Sequence, residues 1–393
     1  MNVESRPVLT RLQIAGVIAV VLGLIGCALA FGQDAKVFQQ SYLFGFVFWC
    51  NLSLGCLGVS LLHHSIRARW SLPVLRFFEA GSSLLPYILL LFIPVLLWLP
   101  NLYPWAAPDA AAHDAVIRFK SPYLNSTRFI LFAIGYFVVW IGLASILNRS
   151  SAAQESSGNA TLAQGRANLG AAGLVVYVLT VTFATTDWVM SLDPHWYSTV
   201  YGVMFVVAQG YGALALATVM LGLFGKHKPV SDELTPRLTR DLGNMLLTFT
   251  MLWAYIAFSQ YVIMYSGNLP EEITYYTARL QGTWWAIGTG LVIFQFFVPF
   301  LLLLSGRTKR TPSLIVSVAV WILLMRVVDT FWVVTPFFYG DGGAVPAVAY
   351  WGSASTLLAM GGIWLLLYAH RLGRYPLVAR HQTLSEEVPQ HVG

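Results

Sequence analysis

Ten apolar stretches punctuate the chain, at 12–31, 42–62, 79–99, 127–147, 167–190, 198–224, 243–265, 283–304, 312–334 and 347–369. Each approaches or exceeds the roughly 20 residues that an α-helix needs to cross a hydrocarbon core. Apolar and polar residues do not alternate within them, as the strands of a membrane β-barrel would. The predicted fold class is an all-α polytopic membrane protein with ten transmembrane helices. The first run is long and has no small-x-small exit, so it is read as a retained span rather than a cleaved signal.

The connecting segments set the orientation. Of the 23 lysines and arginines, all but Lys36, Arg118, Lys120, Arg128, Arg279 and Arg326 fall at the N-terminus, in every second loop or at the C-terminus. By the positive-inside rule both termini are cytoplasmic. The formal charge of +6 is then a topology signal, not a reason to expect nucleic acid. Composition agrees with a membrane chain: 57% of residues are hydrophobic and 10% charged. Cys27, Cys50 and Cys56 lie in apolar runs without a Cys-x-x-Cys pair, which leaves iron–sulfur and c-haem attachment unsupported. The polar segment 150–166 reads as a flexible cytoplasmic linker, and the polar tail 371–393 as ordered only by a partner.

Against this background the turn at 185–202, TTDWVMSLDPHWYSTVYG, is anomalous. Trp188, Trp196, Tyr197 and Tyr201 suit a headgroup-level belt on the outer face. Asp187, inside the preceding span, needs a partner or a use. Asp193 and His195 form a carboxylate–imidazole pair able to pass protons near neutral pH. Other intramembrane polar groups are few. Arg326 and Asp329 share a helix face and can pair, either to fix packing or to serve a site. Glu79 stands three residues from Arg76 at the cytoplasmic start of its span. Gln209, Asn244 and Gln260, with Asn51 and Gln295, read as interhelical hydrogen-bonding amides. His63, His64 and His370 lie at cytoplasmic span ends, a poor arrangement for a membrane haem.

One echo runs through the chain. Asp187 precedes Pro194 by seven residues, with Tyr-Gly at 201–202; Asp329 precedes Pro336 by seven, with Tyr-Gly at 339–340. Two related four-helix bundles would produce it, one over 42–190 (spans two to five) and one over 198–334 (spans six to nine), with spans one and ten peripheral.

At these residues the sequence resembles a known family. DWVMSLDPHWYSTVYG, together with LWAYIAFSQYVIMYSGNLPEE at 252–272, is similar to the ActF family of NrfD-like, polysulfide-reductase-type membrane subunits in bacterial alternative complex III. The resemblance implies ten helices in two four-helix bundles plus two peripheral spans, in the bacterial inner membrane. It implies partners: a sister ten-span subunit (ActC), a periplasmic iron–sulfur subunit (ActB), haem c subunits (ActA and ActE), small membrane subunits and, in some cases, a terminal oxidase. The redox centres would belong to those partners, with this chain holding none. Quinone or quinol is the small molecule the resemblance associates with such a subunit.

The resulting expectation is a redox-inert membrane subunit of a quinol:cytochrome c, or other quinol:acceptor, oxidoreductase. Asp187, Asp193 and His195 would form an outer proton relay, Arg326 and Asp329 its counterpart in the second bundle, and Glu79 a cytoplasmic entry. Gln209, Asn244 and Gln260 would line a quinone groove or serve packing. A purely structural anchor is the alternative, and an independent ion or solute transporter a third.

Overall fold

The computed structural model describes residues 6–67, 69–159, 161–339 and 344–379. Among them, ten helices are long and apolar enough to cross a membrane, which makes the protein all-α and multi-pass. They are α1 (Arg6–Gln33), α2 (Ala35–Ile66), α3 (Trp70–Leu97), α4 (Ser126–Ser157), α5 (Thr161–Leu192), α6 (Tyr201–Phe224), α7 (Pro236–Gly267), α8 (Gly282–Leu304), α9 (Pro312–Tyr339) and α10 (Ala347–Leu372). The Gly-rich turn 340–343 (with the glycine of the second Tyr-Gly pair) and the tail from Arg380 onward lie outside the described residues.

Local chemistry sets several boundaries. The Asp34 side chain accepts from the Val37 N–H (3.0 Å) at the start of α2, and Asn125 accepts from Arg128 N–H (2.9 Å) at the start of α4. Pro236 and Pro312 occupy the first helical turn of α7 and α9, where a missing N–H is harmless. Gly158 takes a left-handed φ of 67° and ends α4.

Helices α2 and α6 are the most buried and form the centre. A Cβ on Gly55 of α2 would lie 2.0 Å from the Gln209 carbonyl oxygen of α6, so glycine is what lets the two backbones meet. Helices α2 to α5 pack around one side of this seam and α6 to α9 around the other. Helices α1 and α10 lie along each other and α10 rests on α2, with Gly23 of α1 against the Ala359 backbone. Helix α8 is not regular. It makes a π-helical turn at Val292–Phe297, just before Pro299, which has no N–H to return to the ladder. Trp321 Nε1 of α9 donates to the Phe294 carbonyl there (2.7 Å).

Two expectations fail. Segment 150–166 is not a flexible linker: α4 continues to Ser157 and the next helix begins at Thr161. Ala153, Ser156 and Ser157 are exposed while Ser151 and Gln154 are buried, and alanine favours a helix there. Arg166 seals the hairpin, donating to the Ser150 carbonyl (3.0 Å) and to the Gln154 side chain. Nor does the start of the tail wait for a partner. Leu377, Val378 and Ala379 are buried against the helices.

Candidate functional site

The 185–202 segment is built into the protein rather than laid on its surface. Trp188, Trp196 and Tyr201 are buried, and only Tyr197, at 52% exposure, could sit in a headgroup belt. The loop between α3 and α4 folds over the turn. Tyr103 Oη donates to the Trp188 carbonyl (2.8 Å), and Trp105 Nε1 to Ser191 Oγ (3.2 Å). On its other side Trp196 stacks on Tyr275 at 4.4 Å, and Trp196 Nε1 donates to the Glu272 carbonyl (3.2 Å). The two stretches that carry the family resemblance therefore meet in space.

Asp187, 1% exposed, lies in the last turn of its helix. Its Oδ1 accepts from Tyr123 Oη and Arg128 Nη1, both at 3.0 Å, and its Oδ2 from Tyr136 Oη at 2.7 Å. Asn125, by starting α4, places Arg128 in the first turn and Tyr136 about two turns further along on the same face. The Arg128 guanidinium also lies over the rings of Tyr123 (3.3 Å) and Phe132 (4.2 Å). Burial first, then the Asp187 charge, pushes the Tyr123 hydroxyl up to about 12, so it stays a donor at working pH.

Asp193 and His195 form a separate cluster at the surface. Asp193 Oδ1 accepts from the His195 backbone N–H (3.0 Å), closing an Asx turn ahead of α6. The imidazole bridges two acids: Nε2 is 2.9 Å from Asp114 Oδ2 and Nδ1 is 3.7 Å from Asp193 Oδ1. No hydrogen bond among the described residues joins the Asp187 carboxylate to Asp193 or His195. The expected outer trio is thus two sites.

Asp114 is held below the usual carboxylate range by the backbone N–H of Ile117, then that of Val116 and the His195 side chain. It caps the short helix Ala115–Lys120. Because its folded pKa is depressed, this support is complete above the ordinary carboxylate pKa of about 4 and is lost as pH falls through the folded value. Asp114→Ala will speed amide exchange in residues 115–120 roughly fivefold at neutral pH, the effect expected of a lost cap. As pH falls through that depressed value the cap is protonated, and wild type and variant will converge in a pH series of hydrogen-exchange measurements.

In the second bundle, Arg326 and Asp329 are both buried and paired, as their spacing suggested. Asp329 borders a cavity of about 20 Å³ with Asn51, Trp253 and Thr330. A second cavity of about 20 Å³ also touches Asn51, against Thr185, Trp188 and Gln209. Each has room for one water. Asn51 ends an amide chain: Tyr177 Oη donates to Gln209 Oε1 (2.5 Å), and Gln209 Nε2 to Asn51 Oδ1 (2.9 Å).

The remaining candidates scatter. Gln260 is fully buried, and neither amide atom has a partner among the described residues. Asn244 is exposed and accepts from Lys309 Nζ (2.9 Å) at the arginine-rich end. Glu79 is at that same basic end, 2.5 Å from Arg76 Nη1. Gln295 of the π-helical turn, with its amide oriented to suit its neighbours, donates to the Met325 carbonyl (2.9 Å) and accepts from Trp253 Nε1 (3.0 Å).

Three groups escaped the sequence reading. Arg128, counted only as a cation in a span, is the counterion of Asp187. Asp114 completes the histidine site. Arg279, fully buried, donates to the Tyr275 (3.0 Å) and Val333 (2.9 Å) carbonyls and lies over the Tyr275 ring at 3.5 Å. That Arg128 and Asp187 both stand at the end away from the arginine-rich loops was the available signal. Compared with protein-family models and with curated protein sequences, the chain matches none.

Proposed function

We propose that the chain is a redox-inert membrane subunit of a quinol-oxidising complex of the alternative complex III type, resident in a bacterial inner membrane with its basic end in the cytoplasm. Quinol oxidised at a partner's iron–sulfur centre gives up two protons, and this subunit would handle protons near the opposite face. The observation that carries the reading is the pair of buried acids, Asp187 and Asp329, one in each bundle, together with two water-sized cavities that share Asn51, one of them bordered by Asp329. Polar groups placed this deep are expensive in a membrane and tend to mark ion or proton routes. Of the two acids, Asp329 borders a cavity, which suits proton exchange; Asp193, His195 and Asp114 would pass protons at the surface.

Membership in a larger assembly has its own support. Helix α7 is about as exposed as α1 and α8 but markedly less apolar, and it turns Tyr255 and Tyr265 outward. A neighbouring protein covers such a face better than lipid does. The expected neighbours are the sister ten-span subunit, the iron–sulfur subunit and the haem c subunits, with quinone at or near their junction.

A structural anchor is the second reading, favoured by Asp187 itself: three protein donors saturate it. Affinity purification of the tagged chain from its native membrane in mild detergent tests the assembly. It will recover c-haem absorbance and quinol:cytochrome c reductase activity. A lone haem-free polypeptide that transports ions or solutes would sink the proposal.

A further inference from the structure

A cavity of about 350 Å³ opens at the basic end among α3, α4 and the end of α10. Apart from Glu79, expected from the sequence as a cytoplasmic proton entry, its lining takes no part in the proton reading of Asp187 and Asp329. Arg76, Glu79, Asn148, Arg149, Arg371 and Tyr375 line it. We propose that it binds the headgroup of an anionic phospholipid bearing free hydroxyls, of the phosphatidylglycerol kind.

Two sets of groups make the case. The inner wall offers acceptors with nothing to accept: Glu79 Oε1 and Asn148 Oδ1 are buried and without a donor. Arg76, only 4% exposed, has an unpartnered Nε, while its two Nη atoms are taken by Glu79 (2.5 Å), Ser151 (3.1 Å) and Glu155 (3.3 Å). Orphaned buried polar atoms at this density call for a ligand or water. The rim offers cations: Arg149 and Arg371 are exposed and enter no ion pair among the described residues.

The ligand that answers both has hydroxyl donors for the inner acceptors and a phosphate for the outer arginines. A glycerol phosphodiester has both. Inorganic phosphate is a small anion that would bring its own negative charge against the Glu79 carboxylate and leave the apolar part of the lining uncovered. Choline would bring a quaternary cation, with no N–H or O–H, toward two arginines. Basic pockets between helices at the cytoplasmic side are where anionic headgroups bind, and Pro86, Ile141 and Ala144 extend the lining along α3 and α4 toward the apolar layer. The volume is within the range of small-molecule pockets, roughly 300–1,000 Å³.

Native mass spectrometry of the detergent-purified full chain, titrated with phosphatidylglycerol, phosphatidic acid, phosphatidylcholine and inorganic phosphate, tests this. Phosphatidylglycerol will bind most tightly, phosphatidic acid less and phosphatidylcholine least. The Arg149→Gln/Arg371→Gln variant will lose about thirtyfold in phosphatidylglycerol affinity, and each single variant about fivefold, on the scale of a juxtamembrane arginine. Both side chains are exposed, so these variants retain the fold; should the double variant fail to express, the singles decide. Equal retention of phosphatidylglycerol and phosphatidylcholine, or undiminished binding in the arginine variants, overturns the proposal. Displacement of the lipid by millimolar inorganic phosphate overturns it in favour of a free-anion site.

Discussion

Asp187→Ala will lower the unfolding free energy by about 3 kcal/mol, the cost of stripping one partner from a buried ion pair. The loss leaves the Arg128 cation and the hydroxyls of Tyr123 and Tyr136 with no acceptor in their place. Arg128 keeps 14% side-chain exposure, which holds the figure at the lower end of that range. Asp187→Asn will cost less, since an amide oxygen still accepts from one or two of the three donors. Combining Asp187→Asn with Arg128→Gln will recover part of the loss, and chemical unfolding of the full chain in detergent measures the coupling. Strict additivity would mean the two residues do not depend on each other. The same cradle sets an alkaline limit. Tyr123 titrates at about 12 in the folded chain against about 10 when unfolded, so its contribution is complete below pH 10 and lost as pH rises through 12. Within the proposed complex, Asp187→Asn separates the two functional readings. A relay predicts slower turnover or altered proton release with assembly intact; an anchor predicts poor assembly.

Asp329→Ala will cost more, about 4 kcal/mol, because its partner Arg326 is as deeply buried as the acid. Removing both charges is a different experiment. Arg326→Met with Asp329→Leu swaps an ion pair for apolar side chains of similar bulk, and such exchanges are often neutral or stabilising. The double variant should therefore fold with near-wild-type stability. It should also abolish whatever proton traffic uses Asp329, read as proton release per quinol oxidised in reconstituted vesicles. Normal proton release from a stably folded double variant would remove Asp329 from the route.

Hydropathy alone located all ten spans, because each is long and apolar enough to stand out from its flanks. The Arg326–Asp329 pair was equally visible, since three-residue spacing on one helix is a statement about geometry. The partner of Asp187 was not. Arg128 is 59 residues away, on α4, and only the packing of α4 on α5 brings the two together. The turn at 185–202 misled for a related reason. Tryptophan and tyrosine at a span end suit a lipid interface, but here the loop carrying Tyr103 and Trp105 covers them, and a covering loop leaves no mark in the covered sequence. His195 was correctly joined to Asp193; its closer partner, Asp114, lies beyond two intervening spans. In segment 150–166, polarity was read as looseness, whereas buried Gln154 and Arg166 use theirs to tie the two helix ends together.

The π-helical turn in α8 carries a consequence for how this helix tolerates change in length. A π turn holds one residue more than an α turn over the same path, while the helix on either side stays in phase. Removing a single residue between Val292 and Phe297 would let the ladder close as ordinary α-helix, with Trp284 and Leu303 still facing their neighbours. Removing one anywhere else in α8 would rotate everything beyond it by about 100° and turn the buried face toward lipid. The irregularity is a spare residue, and α8 is the only one of the ten spans whose described backbone shows such slack.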